Sequence, residues 1–316
     1  MSRKLSSVFA TAALMSSTAL ADVPNVAVDI APIHSLVARV MQDVGAPDLI
    51  IRSGASPHDY RLRPSEAKAL QDANLVIWMG KELTPWMEDA VKTLSTEAAI
   101  LTLLEKDETT LLEFRESVLF EEHDHDDHSD KDHAETEDQD HDEHAHGAHD
   151  PHAWLSPENA KIWLNLIAAQ LSTADPDNAS TYFVNAAAAV TEIDTLMADV
   201  STMLDPIRGN SFIVFHDAYQ YFETVFEFPA SGAISLGDAT DPSPARIARV
   251  QDRIQEQKIQ CVLAEPQFKK GLVVTVLEGT DAKTSIIDPL GDALEPGPAL
   301  YPQLIRNMAK TLVDCF

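Results

Sequence analysis

The chain has 316 residues, with 51 Asp and Glu against 23 Lys and Arg, for a formal net charge of −28. Such a molecule repels nucleic acid and anionic membranes and favours cations, and no basic cluster with interleaved aromatics offsets this, so nucleic-acid binding is excluded. The length suits one large bilobal unit or two modest domains, with a substantial core in either case.

Met1-Ser2-Arg3-Lys4 precede an apolar stretch from Val8 to Leu20 and the small-x-small run Ala19-Leu20-Ala21. A basic start, an apolar core too short for a bilayer and a cleavage site of this kind define an export signal over residues 1–21. No later stretch is apolar over the ~18 residues a membrane helix needs, so no stable membrane insertion is expected.

Asn25–Ile30 (NVAVDI) reads as a buried strand, a helix through Ser35–Val44 follows, and Leu49-Ile50-Ile51 is a second strand. Pro64 opens a helix with Ala67, Leu70 and Ala73 on one face, and Asn74–Met79 (NLVIWM) is the next strand. Strands alternating with helices imply a parallel sheet.

Glu121 to Asp150 holds eight histidines, fourteen acids and one lysine, with almost nothing that can pack. Imidazoles on a carboxylate background attract and ligate borderline dications, whereas an ordinary solvated acidic linker has no need of so many histidines. Lacking apolar residues, the run is expected to stay disordered without metal. Its weak sites would be His123, His125, His128, His133, His141, His144, His146 and His149.

Ser156-Pro157-Glu158 is a helix start, with an N-cap, a proline at the first position and an acid in the first turn. Asp175-Pro176-Asp177 opens a longer helical segment to about Leu204, with Phe183, Ala186, Val190, Ile193, Met197, Val200 and Leu204 stepping by three and four. At 1.5 Å per residue it would span roughly 45 Å, enough to join two halves. Beyond it, Ser211–Phe215, Cys261–Ala264 and Ser285–Ile287 read as short strands, with helices at Pro244–Lys258 and Phe268–Leu277. The expected fold is α/β: two Rossmann-like lobes with parallel sheets, bridged by one long helix. Residues 22–174 form the N-terminal lobe, 175–204 the connecting helix and 205–316 the C-terminal lobe. No internal sequence repeat accompanies the similar architecture of the halves.

Ligands of open α/β sheets bind beyond the carboxyl ends of the strands. His58 (GASPHDYRLRP), His152 (DPHAWLSPE), His216 (FHDAY) and Asp288 (IDPLG) all fall near such ends. Each alone is weak, because a lone strand-end histidine is more often structural. Together, two groups from each half would hold a metal in the cleft. Three neutral imidazoles leave a buried dication uncompensated, one carboxylate halves that charge, and nitrogen-dominated ligation suits tetrahedral zinc over manganese or magnesium.

GASPHDYRLRPSEAKALQDANLVIWMG, HAWLSPENA, FHDAYQYF, CVLAEPQF and IDPLG, in that order, resemble the zinc-specific solute-binding proteins of ABC importers, the ZnuA type of the cluster A-I metal-binding proteins. The resemblance covers nearly the whole exported chain, including the His-rich loop before the second ligand and the late cysteine pair. It implies that His58, His152 and His216 bind zinc in the periplasm for delivery to a membrane permease, with the protein a monomer and not an enzyme. Manganese-type relatives carry a carboxylate at the position of His216. Many enterobacterial members have an acid just before the first ligand; here that residue is Pro57, so Asp288 or water is left as the fourth ligand.

Three further residues invite a role. His34 would line the cleft as an additional ligand or serve as a polar helix-start residue. Tyr60 would shield the metal or simply pack. Glu265, ending the CVLA strand, would accept the second N–H of a ligand histidine or be a buried structural carboxylate; the former is expected. Cys261 and Cys315 are the only cysteines, and in an exported protein they favour a disulfide over a pair of soft metal ligands. A zinc hydrolase, with three histidines and a water on the metal, is the rival function, but no H-E-x-x-H places a general base beside the ligands. A surface metal buffer or adhesin using only the acidic run would leave the strand-end histidines unexplained.

Overall fold

A computed structural model describes residues 23–115, 117, 119–120, 149–235, 242–267 and 270–316. The expected signal and the bulk of the His-rich run, with His123, His125, His128, His133, His141, His144 and His146, lie outside the described residues.

The first half forms a parallel sheet of order β2-β1-β3-β4: β1 (Val26–Val28), β2 (Asp48–Leu49), β3 (Leu75–Trp78) and β4 (Ala99–Thr102). Helices α1 (Ala31–Val40), α2 (Pro64–Asp72) and α3 (Pro85–Leu94) connect these strands. The second half repeats the order as β6-β5-β7-β8, with β5 (Phe212–His216), β6 (Ala233–Ser235), β7 (Cys261–Ala264) and β8 (Lys283–Ile286). Its helices are α6 (Gln220–Phe226), α7 (Pro244–Glu256), α8 (Lys270–Leu277) and α9 (Leu300–Cys315). The central strands β1, β3, β5 and β7 are buried throughout, as a parallel sheet covered on both faces requires.

Between the sheets run α4 (Pro157–Ala174) and α5 (Ala179–Leu204). Ser156 caps α4 by accepting the Asn159 N–H at 3.2 Å. The second start yields a short 3-10 turn, Pro176–Asn178, before the 26-residue α5, which is about 39 Å long. The buried stripe of α5 is Tyr182, Ala186, Ala189, Ile193, Leu196, Val200 and Leu204, one residue round from the expected stripe at three places. Phe183 is 47% exposed, while the Tyr182 hydroxyl donates to buried Asp175 at 2.7 Å. The polar anchor at Asp175 holds Tyr182 inward in place of the equally large apolar Phe183 one position away.

Other expectations shift at their edges. The helix expected over Ser35–Val44 begins at Ala31, directly after β1, because Pro32 starts a helix readily. Not foreseen from the sequence were α3, β4, α6, β6 and α9. The last packs against α1 and α5 as well as β8, so the end of the chain returns to the first half. There Tyr301 N–H donates to Ser35 Oγ at 2.9 Å and its hydroxyl to the Trp154 carbonyl at 3.0 Å. Cys261, opening β7, is disulfide-bonded to Cys315 at the end of α9, with Cα atoms 5.8 Å apart. No described helix is long and apolar enough to cross a membrane.

Candidate metal site

In a sheet ordered β6-β5-β7-β8 the chain switches direction of winding between β5 and β7, so the loops leaving those strands open a crevice. His216 is the last residue of β5, and Glu265 directly follows β7. Across that point His216 Nδ1 lies 2.6 Å from Glu265 Oε1, with the residues 4% and 2% exposed. The other carboxylate oxygen accepts from Gln267 Nε2 at 2.8 Å.

His152 sits in the turn before α4, where both its backbone N–H (2.9 Å) and its Nδ1 (2.6 Å) are held by Asp150 Oδ1. His58 lies on the loop between β2 and α2, its Nε2 3.3 Å from His152 Nε2. The His152 ring is 5.3 Å, centroid to centroid, from each of the other two, so it stands between them.

A carboxylate can only accept, so Asp150 and Glu265, when ionised, keep the proton on Nδ1 of His152 and His216 and make Nε2 of each ring the acceptor nitrogen. His152 Nε2 is then an acceptor, and the hydrogen it shares with His58 belongs to His58 Nε2. Among the described residues no three His, Cys, Asp or Glu side chains converge tightly enough to hold an ion as they stand.

The surrounding charge favours a cation. Asp150, Asp217, Glu223 and Glu265 are all buried. The guanidinium among them is Arg115, 3.1 Å from Asp217, 2.6 Å from Glu223 and stacked 3.9 Å over the Phe120 ring. Burial pushes the Asp150 carboxyl up to about 7 against the opposing His152 N–H and the Arg115 charge, and burial likewise pushes Asp217 up to about 7. A dication at the imidazoles favours the ionised form of both, so this excess of buried carboxylate is a built-in counter-charge.

Local folding fixes the His58 loop. Buried Glu66, three residues into α2, accepts Arg63 N–H (2.7 Å), Arg52 Nε (2.9 Å) and the Tyr60 hydroxyl (2.8 Å), pinning both flanks of the loop. Trp86 Nε1 donates to the Pro57 carbonyl at 2.8 Å, just before His58. Tyr60 is thus engaged by Glu66 and tilted against Trp86 at 5.5 Å. Asp288, two residues past β8, uses Oδ1 to accept Leu290 N–H (3.1 Å) and Gly291 N–H (2.8 Å), leaving Oδ2 one longer contact from Ala293 N–H (3.3 Å).

His34 is not gathered with the others. Its Nε2 is 3.0 Å from the Pro47 carbonyl, which precedes β2 at the amino end of the sheet, and burial lowers its pKa. His149, the last histidine of the acidic run, forms an isolated antiparallel bridge with Glu113. Asp150, Glu66 and Arg115 went unnoticed in the sequence. Asp150 reads as the end of the acidic run although it stands two residues before His152, and Glu66 has the spacing of a capping acid after Arg63. Arg115 has no local signal, since its partners lie more than 100 residues away.

The family model described as "ZnuA: Zinc-uptake complex component A periplasmic" matches residues 26–315. A high-affinity zinc uptake system protein ZnuA from Paracoccus denitrificans is 47% identical over 317 residues, covering 98% of this chain and 96% of the relative. Its counterpart from Brucella abortus is 44% identical over 304 residues, covering 92% and 91%. Among solved structures, a crystal structure of ZnuA superposes with a TM-score of 0.74 at 21% identity, covering 93% of this chain and 99% of that one. The solute-binding protein FpvC from Pseudomonas aeruginosa, in complex with Mn2+, gives 0.73 at 19% identity, covering 92% and 97%. These structures share the two-sheet fold, while the sequence match from β1 to the end of α9 decides kinship: the chain belongs to the ZnuA family.

Proposed function

We propose that this protein captures Zn2+ in the periplasm and delivers it to the membrane permease of an ABC importer, acting by binding and release with no covalent chemistry. The observation that carries the reading is the gathering of His58, His152 and His216 at the strand ends, two of them backed through Nδ1 by buried carboxylates. The three imidazoles hold the ion through nitrogen, the donor set that suits zinc. Asp288 completes the set through Oδ2, the oxygen with acceptor capacity to spare. The buried carboxylates balance the charge without adding ligands, which keeps the ion exchangeable. The protein works as a monomer, with residues 175–204 joining lobes 22–174 and 205–316.

A hydrolase would need a general base free to activate water, and Glu265 is engaged by His216 and Gln267. The acidic run supplies only weak, additional zinc binding, because its whole backbone must be ordered at each event, whereas the backbones carrying His58, His152 and His216 are already fixed by the fold and only side chains need adjust. Calorimetry with metal analysis tests this. His152→Ala or His216→Ala is expected to weaken zinc binding by more than about a hundredfold, beyond the loss of an outer-shell partner, while deleting residues 123–146 leaves the tight site intact. A loop deletion more damaging than either substitution would overturn the reading.

A further inference from the structure

The loop that carries His58 is hydrogen-bonded to the second half of the molecule through Gly54. Gly54, four residues before His58, has φ +82°, a conformation glycine adopts without strain, and its N–H donates to Asp292 Oδ1 at 2.7 Å. Asp292 belongs to the loop leaving β8, which Asp288 organises by accepting three of its backbone N–H groups. The same loop is tied to the second histidine segment, because Trp154 Nε1 donates to the Pro289 carbonyl at 2.8 Å and the Trp154 ring lies 5.2 Å from the His152 ring. The strap 288–292 therefore reaches both ligand-bearing segments of the first half.

The two ties differ in kind. The Trp154–Pro289 bond is buried, whereas the Gly54–Asp292 bond is exposed to water. Water competes for the exposed bond, and local opening starts where backbone hydrogen bonds are exposed. Its breakage loosens the Gly54 end of the His58 loop, while Glu66 and Trp86 still hold the rest of that loop and the His152 side stays in place.

We infer that Asp292 is a positioning residue that holds the His58 loop closed over the site and thereby sets how fast zinc leaves, an inference that rests on the zinc-capture reading above. A backbone N–H given to a carboxylate is stronger than one given to a neutral oxygen, so one such bond is a useful restraint on a short loop. The restraint is also coupled to the cargo. Burial foremost, then the charges of Asp288 and Glu265, raises the Asp292 carboxyl above the usual carboxylate range. A dication arriving beside Glu265 offsets that repulsion and favours the ionised acceptor, so binding and closure reinforce each other.

The test uses the exported chain loaded with Zn2+ and mixed in stopped flow with excess chromophoric chelator, together with hydrogen exchange at the Gly54 amide of the zinc-free protein. Asp292→Ala is expected to release zinc about tenfold faster, as loss of one hydrogen bond to a charged group predicts, and to lose protection at Gly54. Asp292→Asn, which keeps an acceptor oxygen but loses the charge, is expected to release at a rate between those of wild type and Asp292→Ala. The melting temperature of zinc-free Asp292→Ala is expected to match wild type. Equal release by wild type and Asp292→Ala overturns the inference, as does Asp292→Asn releasing as fast as Asp292→Ala, or a clear drop in melting temperature. Wild-type protein that retains no zinc would refute the capture reading by metal analysis alone. The tie is then judged at Gly54, where equal exchange in wild type and Asp292→Ala overturns it and faster exchange in Asp292→Ala upholds it.

Discussion

His216 ends β5 and Glu265 directly follows the neighbouring parallel strand β7, and the 2.6 Å contact between Oε1 and Nδ1 spans the point where the second sheet reverses its winding. That contact decides which imidazole nitrogen faces the cleft. Glu265→Ala is expected to weaken zinc binding by about 10- to 100-fold in calorimetry, the usual loss for a partner that orients a ligating histidine. Glu265→Gln retains an oxygen able to accept the Nδ1 proton and should lose less. A Gln variant as weak as the Ala variant would show that charge, and not orientation, is what Glu265 supplies.

Arg115 offers a separate test of the buried charge. Its guanidinium joins Asp217 and Glu223, both less than 5% exposed, to a segment of the first half. Arg115→Met leaves two buried carboxylates without their cation, a change that costs about 3–5 kcal/mol when a buried pair is broken. The urea midpoint of the zinc-free variant should fall accordingly, and adding Glu223→Gln should restore part of the loss. Independent, additive effects of the two substitutions would refute the pairing.

Much of this arrangement was legible in the chain because it rests on local rules. Ser156-Pro157-Glu158 declares a helix start wherever it occurs, and an apolar run that halts at a histidine, as at His216, places that side chain at a strand end. The same rule put Glu265 at the end of the next strand. Pairings set by tertiary distance were not legible: Gly54 and Asp292 are 238 positions apart, and Arg115 meets Glu223 across 108. His34, weighed as a cleft-lining ligand or as a polar helix-start residue, stands in the first turn of α1. Its place one turn after the first strand suits a cleft, but α1 runs back toward the amino end of the sheet and carries the imidazole to Pro47. The α5 stripe slipped by one residue because periodicity alone does not distinguish Tyr182 from Phe183; the acceptor at Asp175 does.

The disulfide ties the start of β7, the strand before Glu265, to the last helical residue of α9. Closing a loop with a sequence separation of 54 contributes about 4 kcal/mol in the chain-entropy model. Reduction is therefore expected to lower the melting temperature by on the order of 10 °C. Native, unreduced protein should show no titratable thiol, and two reactive thiols would contradict the pairing.

Asp29 gives a stability effect with a definite sign. It follows β1, is fully buried, and accepts the N–H groups of Ile30 (2.8 Å) and Met79 (2.7 Å), pinning together the carboxyl ends of β1 and β3. Burial outweighs those bonds and raises its carboxyl from an ordinary 3.8 to about 7. The folded state therefore holds a proton that the unfolded chain has already released between those values. Folding is favoured most below pH ~4, and this contribution is lost as pH rises through about 7. At ~1.4 kcal/mol per unit, the full loss is at most about 4 kcal/mol. Asp29→Asn cannot ionise, although its amide donor faces one of the two N–H groups, so its baseline stability is lower. Urea unfolding of zinc-free protein from pH 4 to 8 should then show the wild-type advantage over Asp29→Asn shrinking steadily as pH rises. An advantage that stays constant across that range would mean that Asp29 is ionised throughout, with the two backbone N–H groups outweighing its burial.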